Sequence, residues 1–220
     1  MRANLEPFDP RRRRLLASGA LALLLPGCLG APGRDDGVRA DPGGGPPDDV
    51  VERWRALGKL AARTTGDRKG ERNWSGTLDW RQARENFRLR MSGPFGQGAF
   101  QVEGRPGEVE LTTARGERRS AATPETLFAR ELGWYLPASA LRHWITARAR
   151  PGVPVKDWRL DAAGRLSSLA QQGWRLDYEY REAPVGSPPE DARGPALPER
   201  ITLRGEEVVV RIAIRDWRLE

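Results

Sequence analysis

The stretch FRLRMSGPFGQGAFQVEG, residues 87–104, decides the reading of the fold. Phe87, Leu89 and Met91 alternate with Arg88, Arg90 and Ser92, and Phe100 and Val102 alternate with Gln101 and Glu103. In an extended chain successive side chains point to opposite faces, so a period of two means strands with one apolar and one wet side. Gly93, Pro94, Gly96 and Gly98 stand between the two runs, as turn residues that fold one strand back on the other. Phe95 sits in the middle of that turn. Its ring either tucks back under the hairpin or stands out as an apolar tip.

Working outward, the same alternation recurs at Trp74, Gly76, Leu78 and Trp80, at Val109 and Leu111, at Trp174, Leu176, Tyr178 and Tyr180, and at Val208, Val210, Ile212 and Ile214. Such runs with glycine-containing turns predict an antiparallel meander that curls into a sandwich or barrel. Val155–Leu160 and Ile201–Leu203 are ambiguous by period alone. The middle reads as helical. Thr123 caps a helix with Pro124 at its first position, where the missing N–H costs nothing, and Leu127, Phe128 and Leu132 line one side. Pro137 opens a second helix in which Leu141, Trp144 and Ile145 share a face. A further helix is expected at the start of the body, capped by Asp48 or Asp49, with Val50, Trp54 and Leu57 at helical spacing. The fold class is therefore α+β, with helices packed on or plugging a curved sheet.

The N-terminus has a different logic. Arg11–Arg14 precede an apolar run from Leu15 to Leu25, then Pro26, Gly27 and Cys28. Eleven helical residues rise about 16 Å against a hydrocarbon core of about 30 Å, too short to span, so residues 1–27 read as an export signal. The general route or the twin-arginine route, through Arg13 and Arg14, would serve. Cys28 is the single cysteine, which excludes an internal disulfide. The segment LPGC, Leu25–Cys28, resembles the lipobox of bacterial lipoproteins, which implies lipidation of Cys28. By the same resemblance Leu29, in place of an aspartate, directs the protein to the outer membrane. Residues 28–48 then form a Gly-, Pro- and Asp-rich tether with a reach of about 25 Å, and residues 49–220 form one folded domain.

Composition excludes several classes. The 220 residues are 38% hydrophobic and 30% charged, enough for a single core. The net charge of +7 suggests a polyanion partner, yet the basic residues of the body are interleaved with acidic ones, so nucleic acid is not expected. No His or Cys pair has metal spacing, no phosphate loop or nucleophile elbow occurs, and the acidic pairs fall in the tether, at a cap or at a turn. Neither an enzyme nor a cofactor or metal site is expected. His143, the one histidine, reads as a partly exposed surface residue. The eight tryptophans permit either a core of large rings or an apolar hollow with aromatic walls.

Taken in order, WRALGKLAAR (54–63), WSGTLDWRQ (74–82), the opening stretch, GWYLPASALRHWI (133–145), DAAGRLSSLAQQGWRLDY (161–178) and RIAIRDW (211–217) resemble the LolB family of outer-membrane lipoproteins. The resemblance implies an unclosed antiparallel β-barrel of about eleven strands with helices forming a lid over a hydrophobic cavity. It implies Trp54, Trp80, Trp144 and Trp174 as the cavity's aromatic walls. It implies Pro94, Phe95 and Gly96 as a membrane-inserting loop in which Phe replaces the family's commoner Leu. The function implied is that of a lipid-anchored monomer on the periplasmic face of the outer membrane. It accepts acylated lipoproteins from the periplasmic carrier LolA and inserts them into outer-membrane lipid. LolA shares the fold but is soluble, and Cys28 separates the two. The alternative is an envelope lipoprotein that uses a similar barrel for a partner rather than for acyl chains.

Overall fold

The structure is a computed structural model that describes residues 50–64, 73–93, 98–182 and 195–220. Cys28, the tether, the capping Asp48 and Asp49, and Pro94, Phe95 and Gly96 lie outside the described residues. Strands β1 (Arg53–Thr64), β2 (Asn73–Ala83), β3 (Asn86–Ser92), β4 (Phe100–Arg105), β5 (Glu108–Thr113) and β6 (Arg118–Ala121) come first. Two helices follow, α1 (Pro124–Leu132) and α2 (Ala138–Trp144). Strands β7 (Val155–Leu160), β8 (Leu166–Gln171), β9 (Trp174–Glu179), β10 (Arg200–Arg204) and β11 (Val208–Leu219) complete the chain. The eleven strands of the described residues form one sheet in the order β6-β5-β4-β3-β2-β1-β11-β10-β9-β8-β7.

Neighbours in that order are antiparallel throughout, and each half is a simple meander. The joint between the halves is β1 against β11, from Trp54 opposite Leu219 to Thr64 opposite Val208. The ladder shifts register between Leu57 and Gly58, because Leu57 faces Asp216 while Gly58 faces Ile214. This bulge reverses the phase of β11. Ile214 and then Trp217 turn to the same side, which brings Trp217 onto Trp54 at 5.5 Å. A Cβ on Gly58 would stand 2.1 Å from the Ala213 carbonyl oxygen, so only glycine admits this approach of the two backbones.

The helix expected around Trp54 is instead β1. Val50, Trp54 and Leu57 have helical spacing, but Trp54, Ala56 and Ala62 are the buried positions, while Val50 is exposed and Leu57 only half-buried. With β2 and β11 both offering ladder partners along nearly its whole length, the extended form satisfies more backbone groups than a helix could. The alternation was masked in the sequence because several inward positions are Ala and Gly. The two ambiguous segments are both strands, β7 and β10. Strands β6 and β8 were not expected, since RRSA has no large apolar residue and LSSLAQ buries Leu166 and Leu169 three apart.

The helices follow the sequence closely. The Thr123 hydroxyl accepts from the Thr126 N–H at 3.2 Å, Pro124 opens α1, and Gly133 closes it in the left-handed conformation, donating to the Ala129 carbonyl at 3.0 Å. Leu127 and Phe128 are buried. Leu141, Trp144 and Ile145 are buried together as the shared face required, with Ile145 just past the end of α2. Beyond it, Thr146–Ala149 run buried without regular structure. A single side chain ties this segment down. Gln171 of β8, fully buried, accepts from Trp144 Nε1 at 2.8 Å and from the Arg150 N–H at 2.9 Å, and donates to the carbonyls of Arg150 at 3.0 Å and Val153 at 2.9 Å.

Candidate functional site

The inward phase of β2 and β3 carries Leu78, Trp80, Leu89 and Met91, and the helices set Phe128, Leu132 and Leu141 opposite them. Between the two lies a hollow of about 840 Å³. Trp74, Phe87, Phe100 and Trp134 widen its aromatic lining. Such a concave apolar space, unfilled by the chain's own side chains, is where hydrocarbon is favoured over water. A broader depression of about 980 Å³ lies on the other side chain phase of the sheet and is lined by Lys59, Asp79, Arg90 and Glu103. Its surroundings are ion-paired, with the Arg55 guanidinium donating twice to Asp79 at 2.8 and 2.7 Å and holding that carboxyl below its ordinary pKa. Charge of this density suits water, so the apolar hollow is the candidate site.

One end of the hollow is polar. Trp80 Nε1 donates to Gln82 Oε1 at 3.0 Å, and Gln82 Nε2 donates to the Arg84 carbonyl at 2.7 Å. Arg142 reaches the same carbonyl from α2 at 3.5 Å and donates through Nε to His143 Nε2 at 3.1 Å. Gln82, Arg142 and Arg150 all face the hollow. His143 is buried, not partly exposed as the sequence suggested. Its place near the end of a short helix looked like surface, but α2 buries most of its circumference.

Burial, with the Arg142 and Arg150 charges beside it, pushes the His143 pKa from 6.5 down to about 4. An unfolded chain takes a proton here as pH falls through about 6.5, while the folded ring refuses it until about 4. Stability from this residue is therefore whole above the unfolded value and drains between the two, by at most about 3 kcal/mol and by less where solvent screens the ring. Thermal melts of His143→Gln should show a weaker loss between about pH 7 and about pH 4.5 than the parent shows. A parent and a variant with parallel pH profiles would sink this account.

Of the four tryptophans expected as cavity walls, Trp80 lines the hollow. Trp54 stands behind it, ring to ring at 5.2 Å, and is itself buried. Trp144 and Trp174 pair with each other at 6.5 Å, buried away from the lining. The sequence reading missed Trp74 and Phe87, although both share the inward phase of Trp80 and Leu89. It also missed Gln82, which continues the series Leu78, Trp80 and so carried a readable signal: a polar residue on an inward phase.

The sequence pattern of the family described as "Outer membrane lipoprotein LolB" matches residues 52–217, from one residue before β1 to near the end of β11. The Outer-membrane lipoprotein LolB of Alkalilimnicola ehrlichii is 37% identical over 215 residues, covering 95% of this chain and 98% of that protein. That of Pseudomonas savastanoi pv. phaseolicola is 37% identical over 213 residues, covering 90% and 93%. A solved LolA superfamily protein from Nitrosomonas europaea aligns with 79% of this chain and 88% of its own at a TM-score of 0.41 and 12% identity. With relatives this similar along nearly the whole length and a match that spans the eleven-stranded sheet, the chain belongs to the LolB family of outer-membrane lipoproteins.

Proposed function

We propose that the protein is a receptor in lipoprotein localisation: the hollow shelters the acyl chains of an incoming lipoprotein before they enter the outer membrane. The observation that carries this reading is the apolar hollow of about 840 Å³ between the sheet and the two helices, in a chain of this family. The lipid on Cys28 fixes the protein to the membrane, at about 0.8 kcal/mol for each buried methylene. Residues 28–48 let the folded domain reach both the membrane and a soluble carrier of the LolA type. A triacylated cargo has roughly 45 methylenes, which puts escape through water out of reach and requires transfer from cavity to cavity to bilayer. A loose aromatic wall holds the chains less well than lipid does, so the last step runs downhill without a nucleotide.

The test is tryptophan fluorescence of the purified protein on adding an acylated peptide and its unacylated twin. Trp74, Trp80 and Trp134 face the hollow, so the acylated form should shift emission and the twin should not. Equal responses would reject the reading in favour of a protein partner.

Delivery is assigned to the segment between β3 and β4, whose sequence carries the large apolar Phe95 among glycines and a proline. Burying one Phe gains about 1.5–3 kcal/mol, too little to anchor a protein but enough to bias which part of the domain meets lipid. Phe95→Glu is expected to leave acceptance from the carrier intact and to lower transfer into liposomes by about tenfold or more. Transfer at the parent rate would remove the turn from the mechanism.

A further inference from the structure

The polar end of the hollow is more than acyl chains need. Gln82 is 4% exposed, yet it commits one amide N–H and one carbonyl lone pair, leaving one of each for something inside. Arg142 bonds only neutral acceptors, the Arg84 carbonyl and the His143 ring, and among the described residues no carboxylate pairs with it. Arg150 is held through its backbone by Gln171, and no carboxylate pairs with its guanidinium among the described residues either. Of the acids that share this lining, Glu125 accepts from the Ser139 N–H, Glu131 pairs with Arg119 and Arg130, and Glu85, next to the Arg84 carbonyl, is exposed on the β2–β3 turn. His143 does not add a charge at neutral pH, and both arginines disfavour one there. The result is an apolar chamber with two half-buried, uncompensated guanidinium groups at one end.

Lipoprotein acyl chains are joined through ester, amide and thioether bonds, none of which is anionic. Arginine's planar fork is matched instead by phosphate. Size points the same way. At roughly 30 Å³ for a group the size of water, or of a methylene, the hollow of about 840 Å³ holds close to two fatty chains and falls short of three.

We propose that the hollow also takes a diacyl glycerophospholipid, its two chains along Trp80 and Phe128 and its phosphodiester on Arg142 and Arg150, with Gln82 bonding the glycerol ester region. The membrane that holds the tether supplies this lipid. It occupies the hollow when no cargo is present, keeps water from the aromatic walls and leaves when the cargo arrives. The inference rests on the reading of the hollow as an acyl-chain site.

Native mass spectrometry of the full lipidated protein, released from detergent micelles, tests it. The probes are phosphatidylglycerol and diacylglycerol of identical chains, offered together at equal concentration, and inorganic phosphate offered alone. One phosphatidylglycerol per protein should be retained, about tenfold in excess of diacylglycerol. The excess should fall to about twofold or less in Arg142→Gln/Arg150→Gln and persist in Arg142→Lys/Arg150→Lys, which keeps the charge and serves if the glutamine pair fails to fold. Equal retention of the two lipids by the parent overturns the proposal. So does an undiminished excess in a folded glutamine variant, or phosphate bound alone as firmly as the phospholipid, which would mark a free-anion site. An acylated peptide run on the same preparation separates the two levels: if it binds while the phospholipid shows no preference, only the inference fails, and if neither binds, the acyl-chain reading fails with it.

Discussion

Gly58→Ala is expected to cost about 3–5 kcal/mol of stability, at the upper end for a single methyl group. The added Cβ would stand 2.1 Å from the Ala213 oxygen and 3.0 Å from the Ala213 carbonyl carbon and the Ile214 Cα. All three are backbone atoms, so no side chain can swing aside. The strand β11 must move, and it cannot move alone, because among the described residues β1 and β11 form the one ladder joining the two meanders. Interiors this closely packed pass such a displacement on rather than absorb it. Urea unfolding followed by tryptophan emission measures the loss directly. A loss below about 1 kcal/mol would show that the bulge beside Gly58 gives way freely and that the joint is soft.

Gln171→Leu should come next, at about 3–5 kcal/mol. The substitution keeps roughly the same bulk while removing the acceptor of Trp144 Nε1 and of the Arg150 N–H and the donor to the Arg150 and Val153 carbonyls, in a place with no exposure. Each stranded polar group costs about 1–3 kcal/mol, and entry of water recovers part of the total. Urea unfolding measures the loss, and Gln171→Glu should not restore it, because its carboxylate would face the Arg150 and Val153 carbonyls with no exposure. Because Gln171 fixes the backbone of Arg150, the leucine form should also lose definition at the polar end of the hollow. A leucine variant as stable as the parent would mean that the buried segment after α2 finds other partners.

How far the sequence reached can be traced residue by residue. The hairpin built on Phe87–Met91 and Phe100–Val102 was legible because large apolar and polar residues alternate there without exception. Helix α1 was legible because its start signals, Thr123 and Pro124, are local. Strand β1 was not, for an equally physical reason: its inward residues include Ala56, Gly58 and Ala62, too small to register as a hydrophobic stripe, and their burial depends on a strand more than 140 residues away. The lining was half legible. Phase in β2 places Trp80 toward the hollow, but whether an inward indole borders space or other rings depends on what packs opposite. That is why Trp54, Trp144 and Trp174, alike in sequence terms, lie behind the wall. His143 was misread because the length of α2 gives no periodicity long enough to distinguish a buried face from an exposed one.

Among the described residues the sheet ends in β6 on one side and β7 on the other, and these two do not pair. A closed cylinder has a fixed girth, since widening it breaks a ladder and strands its amides. A split hoop does not. Its girth can change by small changes of twist spread over all its strands while every existing rung stays intact, so room for a third hydrocarbon tail costs bending rather than hydrogen bonds. The exposed margins are poor templates for a stray strand: β6 has only four residues and starts with two arginines, and β7 is broken by two register shifts. The protein thus keeps an adjustable girth without inviting a second molecule to close the gap.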